Sequence, residues 1–226
     1  MTPPSDPKDA ADRAPPAGPI VYVIDDDPSL RVALDSLFRS VGLETRLYGT
    51  AQEFLDARRP DTPSCLVLDV RLPGLSGLDF QARLGDSDIR MPVIVMTGHA
   101  DVPMTVRAMK AGAVDFLTKP FRDQDMLDAV GAAIARDRTS RAETRGLDEI
   151  KALYAELSAR EQQVMAHAAA GLMNKQIAHA LGLSEITVKI HRGNAMRKMG
   201  AKSFADLVKM AEALRLGPPD RPKTSV

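Results

Sequence analysis

Between residues 19 and 138 the sequence switches repeatedly between two hydrophobic periods. Short apolar runs of strand length occur at 20–24, 65–68, 93–96 and 114–117, with a weaker one at 45–48. Stretches with helical spacing separate or follow them at 30–41, 51–57, 75–84, 102–111 and 126–135. This alternation leaves few architectures. Parallel strands need long crossover connections, and helices supply them. The runs are near-continuous in apolar residues, as burial on both faces of a sheet requires. The expected fold is α/β: a doubly wound, flavodoxin-like sheet of five parallel strands.

The character of the chain then changes. Residues 136–152 (RDRTSRAETRGLDEIKA) are charged and read as a linker that continues the fifth helix. Residues 153–216 contain no convincing strand and fit four short helices, at about 159–170, 174–181, 185–199 and 203–214. Residues 1–18, rich in Pro, Ala and Asp, are expected to be disordered. Residues 217–226 form a polar tail. The reading is therefore a first domain over 19–135, a linker over 136–152 and an all-α second domain over 153–216. Charge follows this division. The chain is neutral overall, yet residues 1–146 hold 18 Lys+Arg against 22 Asp+Glu, and residues 147–226 hold 12 against 8. An acidic module is joined to one suited to nucleic acid. The single cysteine, Cys65, excludes a disulfide framework and a paired-cysteine metal site, and it reads as a small buried hydrophobe in a reducing compartment. No run reaches the roughly 18 apolar residues of a membrane span, and the N-terminus lacks a signal-peptide core. A cytoplasmic location is expected.

Functional groups of open parallel sheets gather at the carboxyl ends of the strands. Asp25, Asp26 and Asp27 follow the first run, Asp69 the third, Thr97 and Gly98 the fourth, and Lys119 and Pro120 the fifth. Carboxylates this close repel one another unless a cation joins them or a pKa rises. Magnesium suits such an oxygen site. A carboxylate, a magnesium ion, an ammonium and a hydroxyl can together receive a phosphoryl group. The alternative is that Asp25–Asp27 cap the helix beginning near Pro28. That suits Asp27 but leaves Asp69, Thr97 and Lys119 without a role.

In the second domain Ser158-Ala159-Arg160-Glu161 has the pattern of a capping box. Gly171 can end that helix, Asn174 is a candidate cap for the next, and Ser184 caps a third after Gly182. The pair of short helices reads as a helix-turn-helix. Val188, Ala195 and Met199 form a core stripe, and Thr187, Lys189, Arg192, Gly193 and Arg197 offer an opposing surface for phosphates and base edges. A solvated charged face is the other reading. No aromatic residues interleave there, so stacking on single strands is not suggested.

Residues 20–135 resemble the receiver domain of bacterial response regulators. The resemblance rests on Val23-Ile24-Asp25-Asp26-Asp27, on Asp69-Val70-Arg71-Leu72-Pro73-Gly74-Leu75-Ser76-Gly77, on Thr97-Gly98-His99-Ala100 and on Lys119-Pro120-Phe121. It implies that Asp69 is phosphorylated by a sensor histidine kinase. It implies a magnesium site of Asp25, Asp26, Asp69 and the main-chain carbonyl of Arg71, with Asp26 binding directly and Asp25 through water. Lys119 and Thr97 would bind the phosphoryl oxygens. Phe116 holds the place of an aromatic switch, where many members have Tyr. Arg71 and His99 would flank the path of the hydrolytic water and set the lifetime of the phosphoryl group. Residues 157–214 resemble a LuxR-type DNA-binding domain, through Leu157-Ser158-Ala159-Arg160-Glu161, Gly171-Leu172-Met173-Asn174-Lys175 and Thr187-Val188-Lys189-Ile190-His191-Arg192. It implies DNA contacts from Lys175, Ser184, Thr187, Lys189, His191, Arg192 and Arg197, with Lys189 and Arg192 foremost. The combination is most similar to the FixJ subgroup. The implied partners are the kinase, double-stranded promoter DNA, RNA polymerase and a second copy, through the fourth helix, fifth strand and fifth helix. Two rivals differ in class. A haloacid-dehalogenase-type phosphohydrolase needs a second carboxylate two positions after Asp69, where Arg71 stands, so no enzyme is expected. A constitutive DNA-binding protein would have no need of the strand-end residues.

Overall fold

The computed structural model describes residues 18–85, 89–99 and 101–216. The lead-in expected over 1–17 and the tail over 217–226 lie outside the described residues. The chain divides into two units between Arg141 and Ala142.

In the first unit the apolar runs become β1 (Ile20–Ile24), β3 (Ser64–Asp69), β4 (Val93–Thr97) and β5 (Asp115–Thr118), and the weak run becomes β2 (Glu44–Tyr48). They form one parallel sheet in the order β2-β1-β3-β4-β5. The pleat sends alternate side chains to opposite faces. Tyr22, Leu66, Leu68 and Val95 meet Phe54 of α2 (Ala51–Asp56), Phe80 of α3 (Gly77–Gly85) and Ala108 of α4 (Val102–Lys110). Val21, Val23, Val67 and Ile94 meet Leu34 and Phe38 of α1 (Pro28–Ser40) and Met126, Val130 and Ile134 of α5 (Asp123–Ala155). The sheet is thus doubly wound. Its carboxyl edge has a switch point between β1 and β3, where such sheets place ligands. Cys65 is fully buried in β3, and burial pushes its thiol up to about 12.

Helix starts follow local chemistry. Asp27 caps α1 by accepting from Ser29 N (2.8 Å), ahead of Pro28 at the first helical position. Asp101 caps α4 by accepting from Met104 N at 2.6 Å.

Helix α5 continues into residues 136–152, as their sequence suggested. It runs 33 residues, through the whole of 136–152. Part of this charged text is not solvated. Asp137 is buried, 2% exposed. It accepts from Ser64 N (2.8 Å) and from Arg141 Nε (2.6 Å), and Arg141 also pairs with Asp61. The helix is thereby tied to the start of β3.

In the second unit α6 (Ala159–Ala169), α7 (Asn174–Leu181), α8 (Glu185–Lys198) and α9 (Phe204–Ala213) follow the last turns of α5. Met165, Ala195, Met199 and Leu207 form one core with Leu153 and Tyr154 of α5. Val164, Ala168, Ile177 and Val188 form another. The capping box is present: Ser158 N–H donates to Glu161 Oε2 (2.8 Å), and Glu161 N–H donates to Ser158 Oγ (3.3 Å). Lys198 Nζ lies 2.7 Å from the same carboxylate. The cap of α7 is not Asn174, as its sequence suggested, but Met173, whose N–H donates to Gln176 Oε1. Asn174 is freed to accept from Arg192 instead.

Two outcomes are expected. Asp137→Ala leaves Ser64 N–H and the Arg141 guanidinium without their buried acceptor, so denaturant unfolding should show the first unit destabilised by about 1–3 kcal/mol. A change within experimental error would refute the clamp. The Lys198 ammonium first, and then the Ser158 N–H, hold Glu161 near a pKa of about 2, below the ordinary 4.5. A carboxylate with a depressed folded pKa adds stability above its unfolded pKa and loses it as pH falls toward the folded one. The second unit should therefore lose stability between pH 4.5 and about 2, and Lys198→Met should flatten that dependence in acid titrations of unfolding.

Candidate functional site

Three strand ends converge at the carboxyl edge of the sheet. Asp25 directly follows β1, Asp69 ends β3, and Lys119 directly follows β5. Lys119 Nζ reaches Asp25 Oδ2 at 2.6 Å and Asp69 Oδ2 at 2.9 Å. Asp25 and Asp69 are buried, at 0% and 5% exposure. Their second oxygens are held by the backbone: Asp27 N–H donates to Asp25 Oδ1 (2.8 Å), and Arg71 N–H donates to Asp69 Oδ1 (3.2 Å). Arg31 Nη1 fixes the turn by donating to the main-chain oxygen of Asp25. Burial raises the Asp25 pKa, against the lowering pull of Lys119 and the Asp27 N–H. Burial pulls the Lys119 ammonium down, but hydrogen bonds to Asp25 and Asp69 outweigh it, so its pKa sits above the ordinary value. The lysine is charged.

Asp26 is exposed beside this pair, and single carboxylate oxygens of Asp25, Asp26 and Asp69 all lie within 4.8 Å of one another. Three carboxylates and one ammonium leave two net negative charges when all are ionised. A divalent cation would balance them, and an all-oxygen donor set with room on the solvent side fits magnesium. The residues present are therefore compatible with the metal that the sequence implied.

Thr97 ends β4 and is fully buried. Its hydroxyl accepts from His99 N–H (3.3 Å) and donates to the His99 carbonyl (3.2 Å). Both bonds are long and cheap to exchange. Phe116 of β5 is half-buried against the α2–α4 side of the sheet. Arg71 and His99 are exposed. Gly77 closes the loop over Asp69: its N–H donates to the Val70 carbonyl (2.8 Å), and an added Cβ would lie 2.1 Å from the Asp69 carbonyl oxygen. A groove of about 850 Å³, lined in part by Leu30, Leu34, Leu37 and Phe121, opens beside Lys119.

The second candidate surface is α8. Ser184 caps it by accepting from Thr187 N–H (3.1 Å), and the two hydroxyls bond one another at 2.8 Å. Lys175, Ser184, Lys189 and Arg197 are exposed, whereas Thr187, His191 and Arg192 are half-buried. Arg192 is engaged within the unit. It donates to Asn174 Oδ1 (3.1 Å), and its guanidinium lies 5.7 Å from the Phe204 ring centroid. This position resembled a foremost DNA contact, yet it also ties three helices together. The sequence reading passed over Ile186 and Ile190, which are 73% and 57% exposed. Their signal was available: four residues apart, they share one face of the helix.

Comparison with known proteins follows the same division. Residues 21–131 match the response regulator receiver domain, and residues 155–211 match the luxR family of bacterial regulatory proteins. Nodulation protein W of Bradyrhizobium diazoefficiens is 58% identical over 207 residues, covering 92% of this chain and 91% of that protein. Transcriptional regulatory protein FixJ of Azorhizobium caulinodans is 44% identical over 200 residues, covering 88% and 95%. The structure of response regulator StyR is 46% identical with a TM-score of 0.77, covering 87% of this chain and 99% of that one.

The close approach at Gly77 carries a prediction. Gly77→Ala must displace the Asp69 backbone, at a cost of about 1–3 kcal/mol for overpacking. It should also weaken magnesium binding measured by calorimetry. A variant with unchanged stability and unchanged magnesium affinity would contradict the geometry.

Proposed function

The chain belongs to the bacterial response regulators that join a receiver domain to a LuxR-type DNA-binding domain, and on that premise we propose that phosphorylation of Asp69 by a sensor histidine kinase promotes dimerisation and sequence-specific binding to promoter DNA. The observation that carries this reading is the buried bridge from Lys119 to Asp25 and Asp69, with Asp26 alongside.

Asp69 is the nucleophile. One of its carboxylate oxygens forms the bond to phosphorus as the phosphorus–nitrogen bond of the kinase's phosphohistidine breaks and the imidazole leaves with the electron pair. Asp26, Asp69 and the Arg71 carbonyl would hold magnesium directly and Asp25 through water; when bound, the ion offsets charge on the phosphoryl oxygens. Lys119 supplies the second positive charge. Its present bonds to Asp25 and Asp69 keep it at the site before the phosphoryl group arrives. Thr97 exchanges its long bonds with the His99 backbone for one to a phosphoryl oxygen. The Phe116 ring then moves inward, and without a hydroxyl it does so through packing alone. Arg71 and His99, at the solvent side, govern access of the hydrolytic water.

The phosphorylated receiver shifts a pre-existing equilibrium toward a dimer. The face formed by α4, β5 and α5 suits this role, since α4 exposes Val102, Val106 and Met109 at 77%, 44% and 46%. Dimerisation sets two α8 helices on adjacent half-sites and so couples phosphorylation to DNA affinity. Lys175, Ser184, Thr187, Lys189, His191 and Arg197 contact the DNA, with Arg192 holding the helices that present them and reaching the DNA only at their rim, and the bound dimer acts on RNA polymerase. The protein works in the cytoplasm as a regulator rather than as a turnover enzyme. No helix among the described residues is long and apolar enough to cross a membrane, and the relatives include a protein named as a transcriptional regulator.

The test compares the full chain with Asp69→Asn, each with and without acetyl phosphate and magnesium. Wild type should gain one phosphoryl group by intact mass, a larger dimer fraction by sedimentation and tighter promoter binding, and the variant none of these. Equal behaviour of both proteins would refute the proposal.

A further inference from the structure

The side of α8 that faces away from the core is apolar over its first turns and basic only toward its end. At about 100° per residue, Val188, Ala195 and Met199 cluster in one direction, and all three are buried. The opposite direction holds Ile186, Ile190, Gly193 and Arg197, and all four are exposed. Lys189 is exposed on one flank of this ridge. Two isoleucines at 73% and 57% exposure make the ridge apolar over its first turns. Gly193 continues it. A Cβ added there would meet nothing within 4 Å, so no neighbour in the unit demands a glycine. Open space alone is no signal, since Gly131 and Gly146 share it; the place of Gly193 on the ridge is. A glycine inside a helix weakens it, and here it lowers the profile of the surface that leads outward.

We infer that Ile186 and Ile190 read DNA by packing against the 5-methyl groups of thymines in the major groove, with Gly193 allowing the helix to approach closely. This rests on the DNA-binding reading above. The occupant follows from charge and shape. The apolar ridge is accompanied by Lys189 on its flank and Arg197 at its far end, and Lys175 is exposed on α7. Cations around an apolar strip suit a polyanion that carries methyl groups on its groove floor. Thymine is the base that presents a methyl there. Ile186 and Ile190 are four residues apart, a rise of about 6 Å, which is comparable with two base-pair steps at about 3.4 Å each. The ridge therefore selects thymines about two steps apart. The lysines and Arg197 position the helix on phosphates and on neighbouring base edges.

The experiment uses the full chain treated with acetyl phosphate and magnesium. A duplex is first selected from a random pool, and each thymine in it is then replaced by deoxyuridine, which lacks only the methyl. Wild type should lose about fourfold in affinity for each methyl contacted, the value of one buried methyl-sized group, at one or two positions. Ile186→Ala and Ile190→Ala should each bind less tightly and should each be indifferent to deoxyuridine at one of those positions. Both residues are exposed, so the variants should melt like wild type. Gly193→Ala should melt higher and bind the same duplex less tightly. Deoxyuridine without effect anywhere, or with the same effect in wild type and both variants, would overturn the inference while leaving DNA binding intact. Unchanged binding by Gly193→Ala would overturn the close approach. Recovery of no specific duplex would overturn the DNA-binding reading, and this inference with it.

Discussion

One ammonium group joins the ends of non-adjacent strands. Lys119 follows β5, and its two carboxylate partners follow β1 and end β3, with β4 lying between β3 and β5 in the sheet. Buried carboxylates are costly unless paired, and removing one partner strands the other. The bridge therefore requires the sheet order as much as it supports it. It also leaves the edge short of positive charge, because Asp26 adds a third carboxylate within reach. That deficit distinguishes the edge from a closed structural ion pair and is compatible with a divalent cation there.

The elements around the bridge serve its geometry. The turn after β1 is held by Arg31 on the Asp25 carbonyl and by Asp27, which both donates to Asp25 and caps α1. The loop after β3 closes at Gly77, where a side chain has no space. Thr97 ends β4 and is fully buried, and Phe116 of β5 packs against the cluster that holds Ala108 of α4. The second unit repeats the economy on a smaller scale: Arg192 fastens α7 and α9 to α8, leaving the outward ridge free.

Much of this was legible in the sequence. Strands β1, β3 and β4 are fully buried, so their text is apolar apart from Ser64, Asp69 and Thr97 at strand ends, and those ends could be located within a residue or so. β2 lies at the sheet edge and is half-buried, which is why its signal was weak. The strand-end carboxylates and the lysine were readable because topology alone brings them together. Pairing partners were not. Asp137 looked like a linker charge until Ser64 and Arg141, one of them distant in sequence, took up its carboxylate. Arg192 looked free for the same reason. Ile186 and Ile190 were missed because apolar residues were sorted toward the core, although the helical angle already separated them from Val188.

Cation binding at the acidic edge is tested most directly by hydrogen exchange of the β1 and β3 amides in the full chain as magnesium is titrated. A cation that binds only the folded edge stabilises it by mass action. Exchange of those amides should slow with saturation in wild type and should respond far less in Asp26→Asn. Exchange that ignores magnesium, or that slows equally in the variant, would contradict a cation site formed by these carboxylates.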